Sequence, residues 1–199
     1  MIRIYGASRS RASRSLWMLE ELGLPYEQVD FADMEMDERI EILTAVNPIA
    51  KVPVIEDGEL KLFESMAINL YLARKYDSTL WPEGEADQAK TVQWSVFAMT
   101  EIEPPLVELF LERVIHNDDN RDDENEARAL EQIVRPMRVL DAQLRESDYL
   151  LGDEFSTADL NLASVFTLGQ VAGYDMAEFP NVARWVDVCL SRPAYKRVR

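Results

Sequence analysis

The 199-residue chain has almost none of the side chains that bind soft metals or form disulfides. It contains one cysteine, Cys189, and one histidine, His116. A single cysteine excludes an intramolecular disulfide and any paired-cysteine metal or redox site, and it is typical of a reducing cytoplasm. A single histidine excludes a multi-histidine metal site. Because Trp185 and Val188 lie near Cys189 in the sequence, we expect a small buried side chain there rather than a reactive thiol.

Long hydrophobic runs are also missing. No stretch reaches the roughly 18 apolar residues that a membrane span requires. The first fifteen residues, MIRIYGASRSRASRS, lack the apolar core of a secretory signal. We therefore expect a cytoplasmic protein that does not enter a membrane.

Positive charge is scarce over most of the chain. The 21 basic and 37 acidic residues give a net charge of -16, which disfavours nucleic acid and anionic lipid as partners. Residues 1–19 are the exception, because they contain Arg3, Arg9, Arg11 and Arg14 and no acidic residue. This local excess favours a small anionic ligand, although solvated arginines that balance nearby acids explain it equally well.

The first part of the chain alternates between strand and helix patterns. IRIY and YEQVDF are typical of short strands, and the stretch from residue 12 to Gly23 has apolar residues at helical spacing. A short helix is predicted near residues 37–45, followed by a hairpin of VPVI and LKLF around Asp57-Gly58 and a helix in SMAINLYLARKY. The order β-α-β-α-β-β-α predicts a small mixed sheet that is covered by helices.

The second part of the chain is predicted to be entirely helical. The polar stretch DSTLWPEG breaks the apolar pattern, so we predict domains at 1–78 and 86–199 and a linker at 79–85. The acidic residues 117–126 indicate a solvated loop between the first two helices of the second domain. Ser156 and Asp159 form a capping-box pattern at a helix start. Prolines inside helical patterns predict kinks or local breaks at Pro104, Pro105 and Pro136.

Several of these motifs occur together and in a characteristic order. AKVPVIEDGELKLFES at residues 50–65, the helix that follows Glu-Ser, the all-helical second part and FSTADL together resemble the cytosolic glutathione S-transferase superfamily. The resemblance covers nearly the whole chain. It implies a thioredoxin-like βαβ-α-ββα domain followed by an all-helical domain, with glutathione as cosubstrate, no metal, and a homodimer.

The resemblance also implies a set of glutathione-binding residues. Val52-Pro53 would be a cis peptide whose backbone pairs with the cysteinyl residue of glutathione, as an added strand would. Ser65 and the helix start would receive the γ-glutamyl carboxylate, and Glu64 its amino group. Lys51 would approach the glycyl carboxylate. Each has a simpler explanation: an edge-strand proline, a helix cap and a surface lysine.

The sequence offers several candidates for the group that activates the sulfur. The first loop has no cysteine, so the resemblance points to the bacterial serine- or tyrosine-type members rather than the cysteine-type. Families that use a serine place it four residues before a basic residue of the first helix. Ser10 with Arg14 has this spacing, which makes Ser10 the first choice. Tyr5, Ser8 and Ser13 remain alternatives, and each serine has a simpler explanation as a turn or cap residue.

The expected function is conjugation of the glutathione thiolate to small hydrophobic electrophiles, with a possible peroxidase side activity. The resemblance places the electrophile pocket between the domains, and Phe97, Phe110 and Arg113 are candidate pocket residues. Aromatic residues at helical spacing are more often part of a core. The alternative function is a non-catalytic glutathione-transferase-like protein that binds or regulates a protein partner.

Overall fold

The computed structural model describes residues 1–76 and 79–199, and these form two compact units. The first unit comprises Met1–Trp81 together with Ser191–Arg199, and the second comprises Pro82–Leu190. The predicted end of the first domain, residue 78, lies outside the described residues. The sequence-based division placed the last nine residues in the helical domain, whereas in the structure they cluster with the first unit.

The first unit contains a four-stranded mixed sheet. The strand order is β2-β1-β3-β4, with β1 parallel to β2 and β3 antiparallel to both β1 and β4. This confirms the predicted α/β architecture. The elements up to residue 75 are β1 (Ile2–Tyr5), α1 (Ala12–Glu21), β2 (Tyr26–Val29), α2 (Met36–Thr44), β3 (Val54–Asp57), β4 (Leu60–Phe63) and α3 (Ser65–Lys75).

The two faces of the sheet are both covered. Tyr5 belongs to a buried cluster with Phe31, Leu43 and Val54, so α2 covers that face. Because side chains alternate along a strand, the fully buried Ile4 points to the opposite face. There α1 and α3 pack on the sheet and on each other. The loop between β1 and α1 and the segment between α2 and β3 are therefore anchored on both sides by packed elements.

The β3–β4 hairpin is fastened to α3 through Asp57. Its Oδ2 atom accepts hydrogen bonds from Lys75 Nζ at 2.6 Å, Tyr76 Oη at 2.9 Å and Tyr71 Oη at 3.0 Å. The turn at Asp57-Gly58 therefore does more than reverse the chain. It ties the hairpin to the end of the helix that starts at Ser65.

The second unit is helical in its described residues. Its α-helices are α4 (Glu85–Phe97), α5 (Glu103–Phe110), α6 (Asp123–Gln143), α7 (Thr157–Val171) and α8 (Pro180–Leu190). The last helix of the chain, α9 (Pro193–Val198), belongs to the first unit. No helix in the described ranges combines the length and the apolar character that crossing a bilayer requires.

The prolines of the second unit have different effects on their helices. Pro104 and Pro105 occupy the first turn of α5, directly after a π-helical turn at Ala98–Ile102. A proline lacks the N–H that would bond to the preceding turn. The local irregularity predicted at Pro104 and Pro105 therefore takes the form of this wider π turn. At Pro136, where a kink or a local break was predicted, α6 continues without a break.

The capping box at the start of α7 is confirmed. Ser156 occupies the N-cap, and its backbone N–H donates to Asp159 Oδ2 at 2.9 Å. The other carboxylate oxygen of Asp159 accepts hydrogen bonds from the Leu150 N–H and from Trp185 Nε1. The cap therefore also joins α7 to α8 in the core of the second unit.

Candidate functional site

The loop between β1 and α1 meets the segment before β3 at Gly6. A Cβ atom added to Gly6 would lie 2.7 Å from Ala12 Cβ, 3.0 Å from Val52 Cβ and 3.3 Å from Ser10 Oγ. Only glycine fits so close an approach, and its φ of +126° also disfavours any other residue. Gly6 therefore brings Ser10 and Val52, two of the predicted site residues, to the same point.

Hydrogen bonds to β2 hold Gly6 in this position. Its N–H donates to the Val29 carbonyl oxygen at 2.9 Å, and its own carbonyl oxygen accepts from Gln28 Nε2 at 2.9 Å. The sequence analysis did not assign Gly6 to the site. A glycine directly after a short strand was the available signal, but its meaning depends on Val52, a residue distant in the sequence.

Ser10 lies at the entrance to α1. Its Oγ donates to the Ala7 carbonyl oxygen at 2.7 Å and accepts the Ala12 N–H at 3.1 Å. The side chain is half-buried. These bonds stabilise the helix start, while part of the Ser10 surface stays exposed. To donate to a sulfur atom, the hydroxyl hydrogen must rotate away from Ala7.

Tyr5 contacts residues that do not belong to the predicted site. Its hydroxyl donates to Glu56 Oε2 at 2.7 Å, its ring stacks on Phe31 with 6.3 Å between centroids, and the residue is 5% exposed. Burial and the neighbouring Glu56 carboxylate raise the pKa of the Tyr5 hydroxyl. A phenol that is buried and already bonded to a carboxylate is a poor partner for a thiolate.

The other hydroxyl groups of this stretch differ in their surroundings. Ser8 is exposed in the loop and Ser13 is half-buried in the first turn of α1. Ser15 is fully buried, and its Oγ has no hydrogen-bond partner among the described residues. Arg14 is also buried, and its carbonyl oxygen accepts a hydrogen bond from Asn69 Nδ2 of α3 at 3.3 Å.

The segment that carries Lys51 and Val52 is shaped by Asn47. This buried residue donates from Nδ2 to the Lys51 carbonyl oxygen at 2.8 Å and accepts the Ile49 N–H on Oδ1 at 3.2 Å. The Val52-Pro53 peptide bond is cis, and β3 begins only at Val54. Pro53 therefore precedes the strand and does not interrupt its ladder.

Asn47 is a second residue that the sequence analysis did not assign to the site. The short helix predicted near residues 37–45 ends just before its Asn-Pro pair, and the pair was given no further role. Asparagine side chains commonly bond to the backbone two or more residues further along, so the pattern was a usable signal. What it could not indicate was that the turn supports Lys51 and Val52.

Glu64 and Ser65 lie where the hairpin enters α3. Glu64 has φ of +71° and ψ of +109°, which is a strained conformation for a residue other than glycine, and its side chain is exposed. Ser65 is 4% exposed and is the first residue of the helix. The N-cap position is Glu64, so Ser65 does not cap the helix as the simpler explanation supposed.

The second unit has one predicted pocket residue on a surface groove. Phe97 is half-buried there and packs edge-to-face on Trp94. The groove has a volume of about 530 Å³ and is lined by Gln93, Val96, Phe97, Thr100, Glu101, Arg135, Pro136 and Val139. Phe110 is half-buried at the end of α5 and is not among these residues.

Arg113 has a structural environment within the second unit. Nε donates to Glu126 Oε1 at 2.9 Å, and Nη1 donates to the carbonyl oxygens of Ala172 and Gly173 at 3.1 and 3.2 Å. The third nitrogen, Nη2, is 2.8 Å from the same Glu126 oxygen. With every nitrogen engaged, Arg113 joins α6 to the end of α7 and is not free to neutralise a leaving group.

The described residues contain no group of three or more histidine, cysteine, aspartate or glutamate side chains that could hold a metal ion. Cys189 is buried, as predicted. The first unit offers a hydroxyl group at a helix start, close to the turn that carries Lys51 and Val52, and an exposed carboxylate on the strained residue Glu64.

Comparison with known proteins agrees with this arrangement. The glutathione S-transferase N-terminal domain matches residues 2–74, and the C-terminal domain of the same family matches residues 97–193. The chain therefore belongs to the glutathione S-transferase family.

Individual relatives share most of their length with the chain. Glutathione S-transferase 4 of Zea mays is 32% identical over 99% of this chain and 91% of its own. Glutathione S-transferase F10 of Arabidopsis thaliana is 30% identical over 100% and 96%. The theta class glutathione S-transferase of Xanthomonas axonopodis pv. citri, solved with glutathione bound, superposes with a TM-score of 0.88 at 30% identity, covering 98% of this chain and 95% of that one.

Proposed function

We propose that the chain transfers the thiolate sulfur of glutathione to small hydrophobic electrophiles in the cytoplasm, without a metal, and that Ser10 activates the thiol. The observation that carries this proposal is the convergence at Gly6, where Ser10 Oγ and Val52 approach the same point. A tripeptide paired with the backbone of Val52 would then hold its cysteinyl sulfur beside a hydroxyl donor. The single, buried cysteine supports a cytoplasmic location for the protein and argues against a cysteine-based mechanism.

The remaining residues bind the two ends of glutathione. The backbone of Val52, turned by Pro53, pairs with the cysteinyl residue as an edge strand would. Ser65 and the free N–H groups at the start of α3 receive the γ-glutamyl carboxylate. Glu64 binds the adjacent ammonium group; its exposed carboxylate and strained backbone support this role. Lys51 binds the glycyl carboxylate.

Activation of the thiol depends on stabilising its anion. A free thiol has a pKa of about 8.5, so only a few per cent is thiolate near pH 7. Each unit by which the pKa is lowered requires about 1.4 kcal/mol of preferential thiolate stabilisation. The Ser10 hydroxyl, which is already polarised by the Ala12 N–H, supplies a hydrogen bond to the anion.

The chemical step is a nucleophilic substitution. The sulfur lone pair forms a bond to the activated carbon, and the leaving group departs with its bonding pair. The same thiolate can attack a hydroperoxide oxygen, which releases an alkoxide and leaves a sulfenic acid on the sulfur. A second glutathione then displaces water from that sulfur to form the disulfide, which accounts for a peroxidase side activity.

Turnover of an activated aryl halide with glutathione tests the proposal. We expect Ser10→Ala to lower kcat/KM by about tenfold to a hundredfold, because it removes a hydrogen bond to a charged group. Ser13→Ala is the matched control, since Ser13 is a neighbouring half-buried serine of the same helix turn, and it should retain near-normal turnover.

A second measurement separates binding from chemistry. Ser10→Ala should still be retained on immobilised glutathione and be released by free glutathione. Full activity in Ser10→Ala together with loss in Ser13→Ala would contradict the assignment. If the wild-type protein is not retained on immobilised glutathione, both proposals are contradicted: that it binds glutathione and that it is a glutathione transferase.

We further propose that two copies of the chain form a homodimer through the surface groove of the second unit. Val96 and Val139 are 54% and 49% exposed on the rim of the groove, next to Phe97 and Pro136. Apolar side chains grouped in this way on a surface are typical of an interface. Arg135 and Glu101 supply the polar edge that interfaces usually have.

Light scattering tests the dimer. The wild type should have twice the mass of the 22.9 kDa chain, and Val139→Asp should lower it to that of one chain. Val171→Asp is the control, because Val171 is 54% exposed and lies outside the groove. A dimer that persists in Val139→Asp would exclude the groove as its interface.

A further inference from the structure

Two exposed cations flank the junction of Ser10 and Val52. Arg9 directly precedes Ser10, and Lys51 directly precedes Val52. Within the described residues, neither side chain forms an ion pair, a side-chain hydrogen bond or a ring contact. Several other cations of the first unit are neutralised by a carboxylate: Arg3 pairs with Glu27, Lys61 with Glu56, and Lys75 with Asp57.

The position of these two charges is unusual for so acidic a chain. The net charge is -16, yet the first nineteen residues contain no carboxylate side chain. An anion that approaches most of the surface is repelled, whereas at this junction it meets cations that no carboxylate neutralises. The edge of the site is therefore suited to a ligand with more than one negative group.

In the proposed site, glutathione binds only one of these two cations. In the proposed arrangement its glycyl carboxylate binds Lys51, and its γ-glutamyl carboxylate binds at Ser65 and the start of α3. Arg9 has no partner on the tripeptide. Consecutive Cα atoms are about 3.8 Å apart, so the Arg9 side chain begins one residue from the hydroxyl group that would contact the sulfur. The molecule that must reach that sulfur is the electrophile.

We propose that the preferred electrophile carries a carboxylate group and that Arg9 binds it. This inference rests on the proposed function. The guanidinium group donates hydrogen bonds to both carboxylate oxygens in a planar, two-point contact, which selects the orientation of the electrophile as well as its charge. In the reaction the sulfur–carbon bond forms and the leaving group takes its electron pair, while the carboxylate is unchanged. Arg9 determines specificity and takes no part in the chemistry.

Binding of two product-like conjugates tests this inference without requiring turnover. The probes are S-benzylglutathione and S-(4-carboxybenzyl)glutathione, which differ only in one carboxylate, and calorimetry measures the dissociation constant of each. The wild type should bind the carboxylate conjugate about tenfold more tightly, as a charged hydrogen-bonded pair predicts. Arg9→Gln should abolish this preference, Arg9→Lys should keep part of it, and added salt should reduce it.

Arg74→Gln is the matched control. Arg74 is another exposed arginine of the first unit without an ion pair among the described residues, and it lies near the end of α3. This variant should keep the tenfold preference. In the wild type, the same preference should appear in kcat/KM for 4-chloro-3,5-dinitrobenzoate against its uncharged methyl ester, once each value is divided by the rate constant of the uncatalysed reaction with glutathione. This division is needed because the ester group activates the ring more strongly than the carboxylate does.

The outcomes separate this inference from the proposed function. If the neutral conjugate binds and the carboxylate conjugate binds no more tightly, the inference fails and the transferase function stands. If the preference persists in Arg9→Gln, or if that variant weakens both conjugates and free glutathione equally, Arg9 does not bind the electrophile. If neither conjugate binds the wild type, both proposals fail.

Discussion

At the scale of single residues, Gly6 controls how closely two chain segments approach each other. Its backbone is bonded to β2, and the space where a side chain would be is filled by Ala12, Val52 and Ser10. The position therefore combines a conformational requirement with a steric one.

Gly6→Ala should lower the free energy of unfolding by about 2 to 4 kcal/mol. The methyl group would lie 2.7 Å from Ala12 Cβ, and overpacking of this kind costs about 1 to 3 kcal/mol beyond the backbone penalty of about 1 kcal/mol. Glutathione affinity should fall as well, because Ser10 and Val52 are pushed apart. Urea unfolding and calorimetry measure the two effects.

Gly58→Ala is the control for the backbone penalty alone. Gly58 has φ of +66°, and an added Cβ would meet nothing within 4 Å. It should cost about 1 kcal/mol and leave glutathione binding unchanged. Equal losses in Gly6→Ala and Gly58→Ala would show that the close approach at Gly6 does not matter.

At the scale of secondary-structure elements, one buried carboxylate within the π-helical turn at Leu111–Ile115 joins this turn to α6. Glu112 accepts the Asp122 N–H at 2.8 Å, Asn125 Nδ2 at 3.3 Å and a hydrogen bond with His116 Nδ1 at 3.0 Å. The first of these bonds, and then His116, lower the pKa of Glu112 below its ordinary value of 4.5. The charged form is therefore favoured in the folded state.

The stability of the second unit should depend on the protonation of Glu112. A carboxylate whose pKa is lowered on folding stabilises the protein above its unfolded pKa, and this contribution is lost as the pH falls through the folded value. We expect the melting temperature to fall below pH 4.5, and Glu112→Gln to remove part of that pH dependence. Glu124→Gln, at an exposed position of α6, should leave the profile unchanged. Identical profiles for both variants would contradict the role of Glu112.

How well the elements could be predicted depended on how local their signals are. The hairpin at Asp57-Gly58, the helix after Glu64 and the cap at Ser156 follow from residues adjacent in sequence, and the structure contains all three. The π turn before Pro104 and the unbroken helix at Pro136 were not distinguishable beforehand, because both prolines occur in similar helical patterns. The packing around each proline decides between a break and a continuous helix.

At the scale of the whole molecule, the last helix completes the first unit. Arg192 forms a two-point ion pair with Glu21, with Nε–Oε1 at 2.6 Å and Nη2–Oε2 at 2.8 Å, and Trp17 packs edge-to-face on Tyr195. These contacts join α9 to α1, the helix that begins beside Ser10. They were not predicted, because each connects residues more than 170 positions apart in a sequence that reads locally as a continuation of the helical part.

Arg192→Gln should destabilise the first unit by about 2 kcal/mol, because Glu21 is largely buried and would lose its charged partner. Lys196→Gln should change stability by less than about 0.5 kcal/mol, since this exposed lysine of the same helix has no ion pair among the described residues. Chemical unfolding compares the two variants. Similar small effects in both would mean that α9 contributes little to holding α1.

The proposed site residues could be named from the sequence to the extent that they belong to contiguous motifs. Lys51, Val52, Pro53, Glu64 and Ser65 came from a single stretch of sixteen residues, and Ser10 from its spacing to Arg14. Asn47 and Gly6 act through residues that only the folded chain brings close. For the same reason Arg113 appeared free in sequence, although Glu126 and the end of α7 bind it.

The return of residues 191–199 to the first unit also affects the order in which the protein can fold during translation. The ribosome synthesises Met1–Trp81 first, but the surface of α1 that packs on Tyr195 stays uncovered until the last nine residues emerge. Synthesis of Pro82–Leu190 takes about 5 to 20 s at ordinary elongation rates. During that interval Tyr195 cannot cover Trp17, and we expect this part of α1 to be available to chaperones that bind apolar side chains.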